Sequence, residues 1–303
     1  MMERSLTVHE RIPLPARRLV HLTQQLLRTG RASAARLIQS GGVFVNGKVT
    51  RRADLVLQVG DRLDIRVEAP RSPTSRRAGP ARVPLEVVYH DADIIVVNKP
   101  AALLTVPTPH KESHTLIALV ERWLKANADH EHAYCVHRLD RGVSGLLVFG
   151  KRLEIAQALR NQFADRRPQR QYVAIVAGTL ADSQGTFQSH LTTERKTLRR
   201  FSTTDTDVGE LAITHYQVRR TVGDTSVVEV RLETGRRHQI RVHFAEAGHP
   251  ILGDPRYSTG PAHAWPHKRL ALHALSLAFT HPTSNRPLAF SSRLPVEFQP
   301  FSG

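Results

Sequence analysis

A carboxylate on a short loop between apolar segments is the group in this sequence best suited to chemistry. Asp140 follows Arg138 by two positions, and an uninterrupted apolar run, Leu146 to Phe149, comes soon after it. Gly142 and Gly145 allow the backbone to turn tightly and a ligand to approach it closely. In an extended segment Arg138 projects to the same side as Asp140, and a nearby guanidinium favours the ionised carboxylate. The spacing predicts a loop that presents one charged carboxylate to a ligand.

Other reactive patterns are weaker. Ser144 lies in Val-Ser-Gly rather than Gly-x-Ser-x-Gly, and the sequence has no phosphate-binding or dinucleotide-binding glycine motif. Among the 17 histidines, His238 and His243 are five positions apart, without the His-x-x-x-His spacing and attendant glutamate of a zinc helix. We therefore expect neither a metal nor a cofactor.

The charge balance indicates a polyanionic partner. The chain of 303 residues has 43 Lys and Arg against 27 Asp and Glu, a formal charge of +16, which suits nucleic acid or an anionic membrane surface. No run of 18 apolar residues is present, so no membrane-spanning segment is expected. Residues 1–10 are polar, and Cys135 is the one cysteine, a pattern that fits a reducing cytoplasm. Nucleic acid is the preferred partner.

The first 83 residues divide into three parts. Residues 1–14 have no periodicity and are expected to be a loosely ordered lead-in. Residues 15–69 predict two short helices, a hairpin turning at Asn46-Gly47, and an alternating strand at Leu63, Ile65 and Val67. Residues 70–83 are rich in Pro, Ser and Arg and predict a linker.

Residues 84–303 predict a second, larger domain. Helices are expected at Thr115–Asn127 and Leu153–Ala164 from their apolar stripes, and at a basic segment that follows Gly235, where Arg237 and Arg241 would share a face. Strands are expected at Ile94–Val97, Gln171–Gly178, Leu211–Val218 and near the C-terminus. Residues 181–208 are polar and are expected to be irregular. Their basic cluster fits a solvated loop or an RNA contact equally well, and it comprises Arg195, Lys196, Arg199 and Arg200.

Three segments together resemble the RluA family of RNA pseudouridine synthases. Residues 136–151 are similar to the family's catalytic motif, His-Arg-Leu-Asp-x-x-Thr-Ser-Gly-Leu-Leu, which places the essential Asp at Asp140 and has Val143 where Thr is usual. The strand at Tyr172 resembles the second motif, whose Tyr stacks on the target base. Residues 233–243 resemble the third motif, whose last Arg, here Arg241, contacts the catalytic carboxylate. Asn98-Lys99-Pro100 and Ile251-Leu252-Gly253-Asp254 also match the family.

Residues 15–69 resemble an S4-like RNA-binding domain, mainly through the second helix and the hairpin. The first helix departs from the usual Arg-Leu-Asp opening, since it reads Arg17-Arg18-Leu19. Residues 1–80 hold 15 Lys and Arg against 6 Asp and Glu, which supports RNA binding independently of the resemblance. The two resemblances imply substrate contacts by Arg31, Arg36, Lys48, Arg138, Arg236, His238 and Gln239.

The resemblance implies an RNA pseudouridine synthase that isomerises uridines, most readily in large-subunit ribosomal RNA, without a cofactor. The implied fold is α+β, with a small S4-like domain and a catalytic domain built on a mixed, mainly antiparallel sheet flanked by helices. A tRNA-specific synthase and a non-catalytic RNA-binding or ribosome-assembly protein remain alternatives. We expect a monomeric, cytoplasmic protein that binds RNA and no membrane.

Overall fold

The computed structural model describes residues 2–9, 12–67, 85–110, 112–130, 132–258 and 265–301. Contacts between Cα atoms divide the chain into two compact units, Met1–Arg82 and Val83–Gly303. The predicted linker, residues 70–83, lies outside the described residues, so the domain boundaries stay a prediction. No helix in the described ranges is long and apolar enough to cross a bilayer.

The N-terminal unit packs two helices against a small antiparallel sheet. Its elements are β1 (Met2–Thr7), a 3-10 helix (Leu14–Arg17), α1 (Leu19–Leu27), α2 (Arg31–Gln39), β2 (Val43–Val45), β3 (Lys48–Val49) and β4 (Arg62–Val67). The strands lie in the order β1-β4-β2-β3. Leu19, Leu22 and Ile38 from the helices are fully buried against Val43 and Leu63 from the sheet. The predicted helices and hairpin are therefore present.

The predicted irregular lead-in is wrong for residues 2–7, which form an edge strand. Strand β1 pairs antiparallel with β4 along its whole length, from Met2 opposite Val67 to Thr7 opposite Arg62. Its sequence, Met-Glu-Arg-Ser-Leu-Thr, has too few apolar residues to show a strand pattern. The strand forms because the edge of β4 offers unpaired backbone groups, which no local pattern reveals.

The C-terminal unit is built on one large sheet. Its strands are β5 (Glu86–His90), β6 (Ile94–Lys99), β7 (Tyr134–Cys135), β8 (Ser144–Gly150), β9 (Gln169–Ala177), β10 (Gln184–Thr193), β11 (Arg200–Thr203), β12 (Glu210–Thr221), β13 (Thr225–Leu232), β14 (Leu272–Thr280) and β15 (Pro287–Ser291). Its helices are α3 (Leu116–Ala126), α4 (Leu153–Ala164), α5 (Gln239–Glu246) and a 3-10 helix at Val296–Phe301.

The strand order is β11-β10-β12-β13-β9-β14-β8-β6-β5, with β15 paired to β14 and β7 to β8. Strand β8 reads as a continuous apolar run because helices cover both of its faces. Leu146 and Val148 pack with Ile155 and Leu159 of α4. Leu147 and Phe149 face the opposite way, into the cluster that contains the buried side of α3. The mixed, mainly antiparallel sheet of an α+β fold is as predicted.

One short parallel pairing joins the two parts of this sheet. Strands β8 and β14 meet with Ser144 opposite His273 and Gly145 opposite Ala274, whereas the other strand pairs among the described residues are antiparallel. Gly145 has φ of +118°, and a Cβ at this position would lie 2.2 Å from the carbonyl oxygen of Ala274. Only glycine allows the strands to approach this closely directly after the Asp140 loop.

Two sequence predictions in this unit need correction. Residues 184–193 and 200–203 form the hairpin β10–β11, although residues 181–208 were expected to be irregular. The polar residues of β10 alternate with half-buried ones on a sheet with one solvated face, which weakens the apolar signal. Helix α5 begins only at Gln239, after His238 in a left-handed conformation, so Arg237 precedes the helix and does not share a face with Arg241.

Candidate active site

Asp140 and Arg241 meet at the loop that precedes β8. The Nη1 atom of Arg241 donates a hydrogen bond to Oδ2 of Asp140 at 2.7 Å, joining residues 101 positions apart. The other side of the guanidinium donates from Nε and Nη2 to both oxygens of Asp254, at 2.6 and 2.8 Å. Burial disfavours the charge of Arg241, but hydrogen bonds and charges of Asp254 and Asp140 raise its pKa above the ordinary value. The guanidinium is therefore a fixed cation between two carboxylates.

Among the described residues, hydrogen bonds are donated to only one of the two carboxylate oxygens of Asp140. Arg241 donates to Oδ2, and Nε2 of His238 lies 3.7 Å from the same atom. Among the described residues, none donates a hydrogen bond to Oδ1. The side chain of Asp140 is 19% exposed, so a ligand can reach it.

Tyr172 lies beside this carboxylate on β9. It lines a cavity of about 70 Å³ together with Asp140, Leu232 and Arg241. Its side chain is buried, and this burial raises the pKa of the Tyr172 hydroxyl although the charge of Arg170 opposes the shift. An aromatic face beside a carboxylate offers a stacking surface for a planar ring.

A second cavity, of about 690 Å³, adjoins the first and shares Asp140, His238 and Arg241 with it. Asp140 is the one acidic residue in its lining. Seven cationic side chains line it: Arg138, Arg141, Arg237, Arg241, Arg256, Lys268 and Arg269. So many cations around one carboxylate favour a polyanionic ligand.

Lys99 supports the Asp140 loop from the interior of the protein. This lysine is fully buried at the end of β6, and its ammonium group donates to the carbonyl oxygens of Leu103 at 2.7 Å and Arg141 at 3.4 Å. Burial lowers the pKa of Lys99 to about 7, against the opposing effect of Asp140. Because the carbonyl of Arg141 directly follows Asp140, Lys99 helps to hold the loop in place.

The residues of this unit that were predicted to contact substrate lie in different environments. Arg138 is exposed and lines both cavities. Arg236 lines the small cavity, but its guanidinium donates to Leu211 at 3.0 Å and to Glu210 at 3.2 Å. His238 lies between Asp140 and Tyr257.

Gln239 departs from its predicted role. Its side chain is 2% exposed; the oxygen accepts from Thr234 and from the backbone of Arg236, and the amide donates to Ile213 and Thr214. Because these internal bonds use both ends of the amide, we interpret Gln239 as a structural residue that closes the turn before α5.

The N-terminal contacts belong to the other unit. Arg31 and Lys48 are exposed on that unit, whereas the side chain of Arg36 lies outside the described part of the chain.

The basic cluster of the β10–β11 hairpin is divided between solvent and protein. Arg195 and Lys196 are exposed. Arg200 is buried and forms an ion pair with Glu210 at 2.7 Å. Arg199 lies over the ring of Tyr257, 5.2 Å from its centroid.

Sequence patterns did not single out Asp254, Tyr257 or Lys99 as site residues. Their side chains reach Arg241, His238 and the Asp140 loop through contacts between distant segments. The signals available in the sequence were that Lys99 ends an apolar strand and that Lys99 and Asp254 lie in segments similar to the family. Within the described ranges, no group of three or more His, Cys, Asp or Glu side chains is arranged to hold a metal ion.

A family model described as RNA pseudouridylate synthase matches residues 93–246, which include Asp140, Tyr172 and Arg241. The chain belongs to the RNA pseudouridylate synthase family. This membership confirms the resemblance predicted from the three motifs and the predicted enzyme class, an isomerase that acts on RNA. The S4-like assignment of the N-terminal unit is not tested by this match and stays a prediction.

Curated bacterial proteins are similar to this chain over most of its length. The ribosomal large subunit pseudouridine synthase D of Xanthomonas campestris is 36% identical, across 89% of this chain and 82% of its own. An uncharacterised RNA pseudouridine synthase of Bacillus subtilis is 34% identical, across 88% of this chain and 86% of its own.

Solved structures of the family share the fold. The human RNA pseudouridylate synthase domain containing 1 is 25% identical and superposes with a TM-score of 0.58, covering 72% of this chain and 86% of its own. The human domain containing 4 superposes with a TM-score of 0.59 at 22% identity, covering 71% of this chain and 90% of its own.

Proposed function

We propose that this protein isomerises specific uridines of large-subunit ribosomal RNA to pseudouridine and that Asp140 is its catalytic carboxylate. The observation that carries the proposal is the state of Asp140: Arg241 fixes its Oδ2, none of the described residues donates to its Oδ1, and the residue lines a basic cavity. In the reaction the bond between uracil N1 and C1′ of the ribose breaks. The uracil turns, C5 bonds to C1′, the proton on C5 leaves, and N1 takes up a proton. The atoms balance without any co-reactant.

Asp140 acts on the sugar, as a nucleophile or as a base. Either role needs one carboxylate oxygen free and the other held, because a rotating carboxylate would lose its alignment with the sugar. Arg241 supplies that restraint, and its charge also offsets the negative charge of the carboxylate before the reaction.

The small cavity beside Tyr172 fits the base. A uridine inside a helix cannot reach Asp140, so it must leave the stack, and stacking on an aromatic ring is worth about 1–3 kcal/mol per base. Tyr172 provides that ring next to Asp140. Arg138, at the exposed edge of both cavities, is placed to occupy the space that the flipped nucleotide vacates.

The larger cavity fits the ribose-phosphate backbone, because its cations neutralise phosphates without reading sequence. The choice of RNA rests on relatives named as large-subunit synthases. In this proposal the N-terminal unit is an S4-like domain that adds RNA contacts through residues such as Arg31 and Lys48. The protein works as a cytoplasmic monomer.

Mapping of pseudouridines with and without Asp140 tests the proposal. Cells that lack the protein are complemented with the wild type, with Asp140→Asn or with Asp165→Asn, a matched control on an exposed ion pair. Carbodiimide treatment and primer extension then locate pseudouridines in ribosomal RNA. We expect the wild type and Asp165→Asn to restore the same sites and Asp140→Asn to restore none while it still binds RNA. Asp254 keeps Arg241 in place in that variant, so the fold should persist.

Other outcomes separate the alternatives. Restoration of tRNA positions instead of ribosomal ones would identify a tRNA-specific synthase. Restoration of no position in either RNA by the wild type would support a non-catalytic RNA-binding protein. Equal restoration by wild type and Asp140→Asn would overturn the assigned role of Asp140.

A further inference from the structure

His238 lies between the reactive carboxylate and a buried phenol. Its Nδ1 atom is 2.8 Å from the hydroxyl oxygen of Tyr257, and its Nε2 atom is 3.7 Å from Oδ2 of Asp140. The imidazole is 9% exposed, and Tyr257 is buried. The two ring nitrogens of His238 therefore face different groups, and the position of the proton decides what each nitrogen can do.

The partners of Tyr257 determine that position. The backbone N–H of Arg200 donates to the hydroxyl oxygen of Tyr257 at 3.1 Å. The hydroxyl hydrogen then has Nδ1 of His238 as its acceptor. The opposite arrangement, with Nδ1 protonated, would aim two donors at one phenol oxygen and leave the phenol hydrogen without this acceptor. Tyr257 thus donates to Nδ1, and the proton of a neutral His238 is on Nε2.

The carboxylate favours the same tautomer independently. A protonated Nε2 presents an N–H to Oδ2 of Asp140, whereas an unprotonated Nε2 would present a lone pair to a negative charge. Burial lowers the pKa of His238 to about 4; Asp140 opposes this shift, and Arg241, Arg237 and Arg256 reinforce it. The ring is neutral near pH 7, so its tautomer matters.

We infer that Tyr257 is a positioning residue, which fixes neutral His238 with its proton on Nε2 so that His238 donates to Oδ2 of Asp140 and leaves Oδ1 for the sugar. The inference rests on the proposed role of Asp140 and adds a second restraint beside Arg241. The separation of 3.7 Å belongs to the protein without substrate, and hydrogen bonds of this kind commonly shorten when substrate binds.

The hairpin β10–β11 is part of this arrangement. Arg200, which donates to Tyr257 through its backbone, is anchored by its ion pair with Glu210. The guanidinium of Arg199 lies over one side of the Tyr257 ring and that of Arg241 is 5.0 Å from the ring centroid. Tyr257→Phe keeps the ring for these contacts and removes only the hydroxyl, so it tests the tautomer without removing the packing.

Two substitutions of His238 separate its donor role from a structural role. The amide nitrogen of a glutamine reaches the place of Nε2, whereas that of an asparagine reaches only the place of Nδ1. His238 has φ of +58°, a conformation that asparagine adopts more readily than glutamine. A donor role therefore predicts that His238→Gln is the more active variant, and a structural role predicts that His238→Asn is.

The test measures tritium release from a large-subunit ribosomal RNA transcript labelled at C5 of uridine, or from tRNA if the mapping above places the site there. The variants are Asp140→Asn, Tyr257→Phe, His238→Gln, His238→Asn, the double variant Tyr257→Phe/His238→Gln, and the control Tyr216→Phe, whose ring stacks on Phe187 away from the site. The maximal rate and the RNA concentration at half-saturation are measured for each variant.

We expect Tyr257→Phe and His238→Asn to lower the maximal rate by about 10–100-fold, the range known for groups that orient metal-binding histidines, with the half-saturating RNA concentration nearly unchanged. His238→Gln should keep most of the activity. Adding Tyr257→Phe to it should have no further effect, since glutamine has no tautomer to fix. Tyr216→Phe should equal the wild type.

Two results would overturn the inference. One is a wild-type rate for Tyr257→Phe while Asp140→Asn is inactive. The other is His238→Asn at least as active as His238→Gln. Full activity of Asp140→Asn would instead overturn the proposed function itself, so the two failures are distinguishable.

Discussion

Arg241 contacts the carboxylate of Asp140 with one nitrogen and that of Asp254 with two. Asp254 is fully buried, and its Oδ1 also accepts from the backbone N–H groups of Arg256 and Tyr257, at 2.9 and 3.2 Å. Asp254 is therefore bonded both to Arg241 and to the loop that follows α5. The orientation of the guanidinium, and through it that of Asp140, depends on this buried acid.

Replacing Asp254 by Asn should slow the reaction without weakening RNA binding. The amide keeps the shape of the side chain but cannot balance the charge of Arg241, whose hold on Asp140 should loosen. We expect the single-turnover rate to fall by about 10–100-fold, since a misplacement of 1 Å can have an effect of that order. Asp254 lines neither cavity, so the dissociation constant for RNA should stay near that of the wild type.

The matched control for this change is Asp205, an exposed aspartate in the segment that follows β11. Asp205→Asn should leave both the rate and the affinity unaltered. A wild-type rate for Asp254→Asn would show that Asp140 and Arg241 hold each other without help.

The sequence indicated some of the proposed site residues and not others. Asp140, Tyr172 and Arg241 were predicted as site residues because each lies in a short motif whose order along the chain could be read directly. Tyr257 was not predicted, because the role proposed for it depends on contacts with Arg200 and His238, from two other segments. Gln239 was predicted to contact substrate from the resemblance to the family, and only the fold reveals that its hydrogen bonds are internal.

At the scale of elements, the position of the Asp140 loop is set by the contact between β8 and β14. Gly145→Ala should destabilise the C-terminal unit strongly, because a Cβ there meets the backbone of Ala274. The positive φ alone costs about 1–3 kcal/mol for a residue with a side chain. The free energy of unfolding from urea titration is the measurement, with the soluble fraction as readout if the variant does not fold.

Gly142→Ala is the control for this prediction. Its Cβ would lie 2.9 Å from Cγ and 3.2 Å from Cδ1 of Leu270, and a side chain can give way more easily than the backbone of Ala274. We expect a smaller loss than for Gly145→Ala. Equal losses would argue that the close approach of β8 and β14 is not the reason for glycine at position 145.

Elements with a clear internal period were predictable, and those that depend on a partner were not. Helix α4 was predicted with the bounds that it has, because Ile155, Leu159 and Phe163 form an apolar stripe. Strand β1 and hairpin β10–β11 are polar and exist because a neighbouring strand offers its edge. The start of α5 was misplaced because His238 adopts a left-handed conformation, which the basic sequence around it does not indicate.

At the scale of the whole molecule, buried neutral histidines link stability to pH. Burial lowers the pKa of His243 to about 4, and burial with the charge of Arg269 lowers the pKa of His273 to about 4. In the unfolded chain both rings take up protons near pH 6.5, whereas in the folded protein they do so only near pH 4. Stability is thus fully present above pH 6.5 and is lost as the pH falls towards 4.

Urea unfolding between about pH 7.5 and pH 4.5 tests this link. Each histidine should contribute a slope of up to about 1.4 kcal/mol per pH unit within the window. His243→Gln should flatten the dependence, because a glutamine at this position can still reach Ser189 from the place of Nε2 but does not titrate. A stability that does not change with pH would mean that these rings bind protons equally well in the folded protein and in the unfolded chain.

The short parallel contact between β8 and β14 also bears on how the protein folds. Ser144 and His273, which pair there and share a hydrogen bond of 2.7 Å, are 129 positions apart in the chain. Closing so long a loop is entropically costly, and contacts of this kind form slowly. The Asp140 loop lies directly before that contact, so a partly folded chain with both halves of the sheet formed still lacks the proposed active site. Recovery of activity during refolding should therefore follow the last long-range closure of the sheet and not the earlier gain of secondary structure.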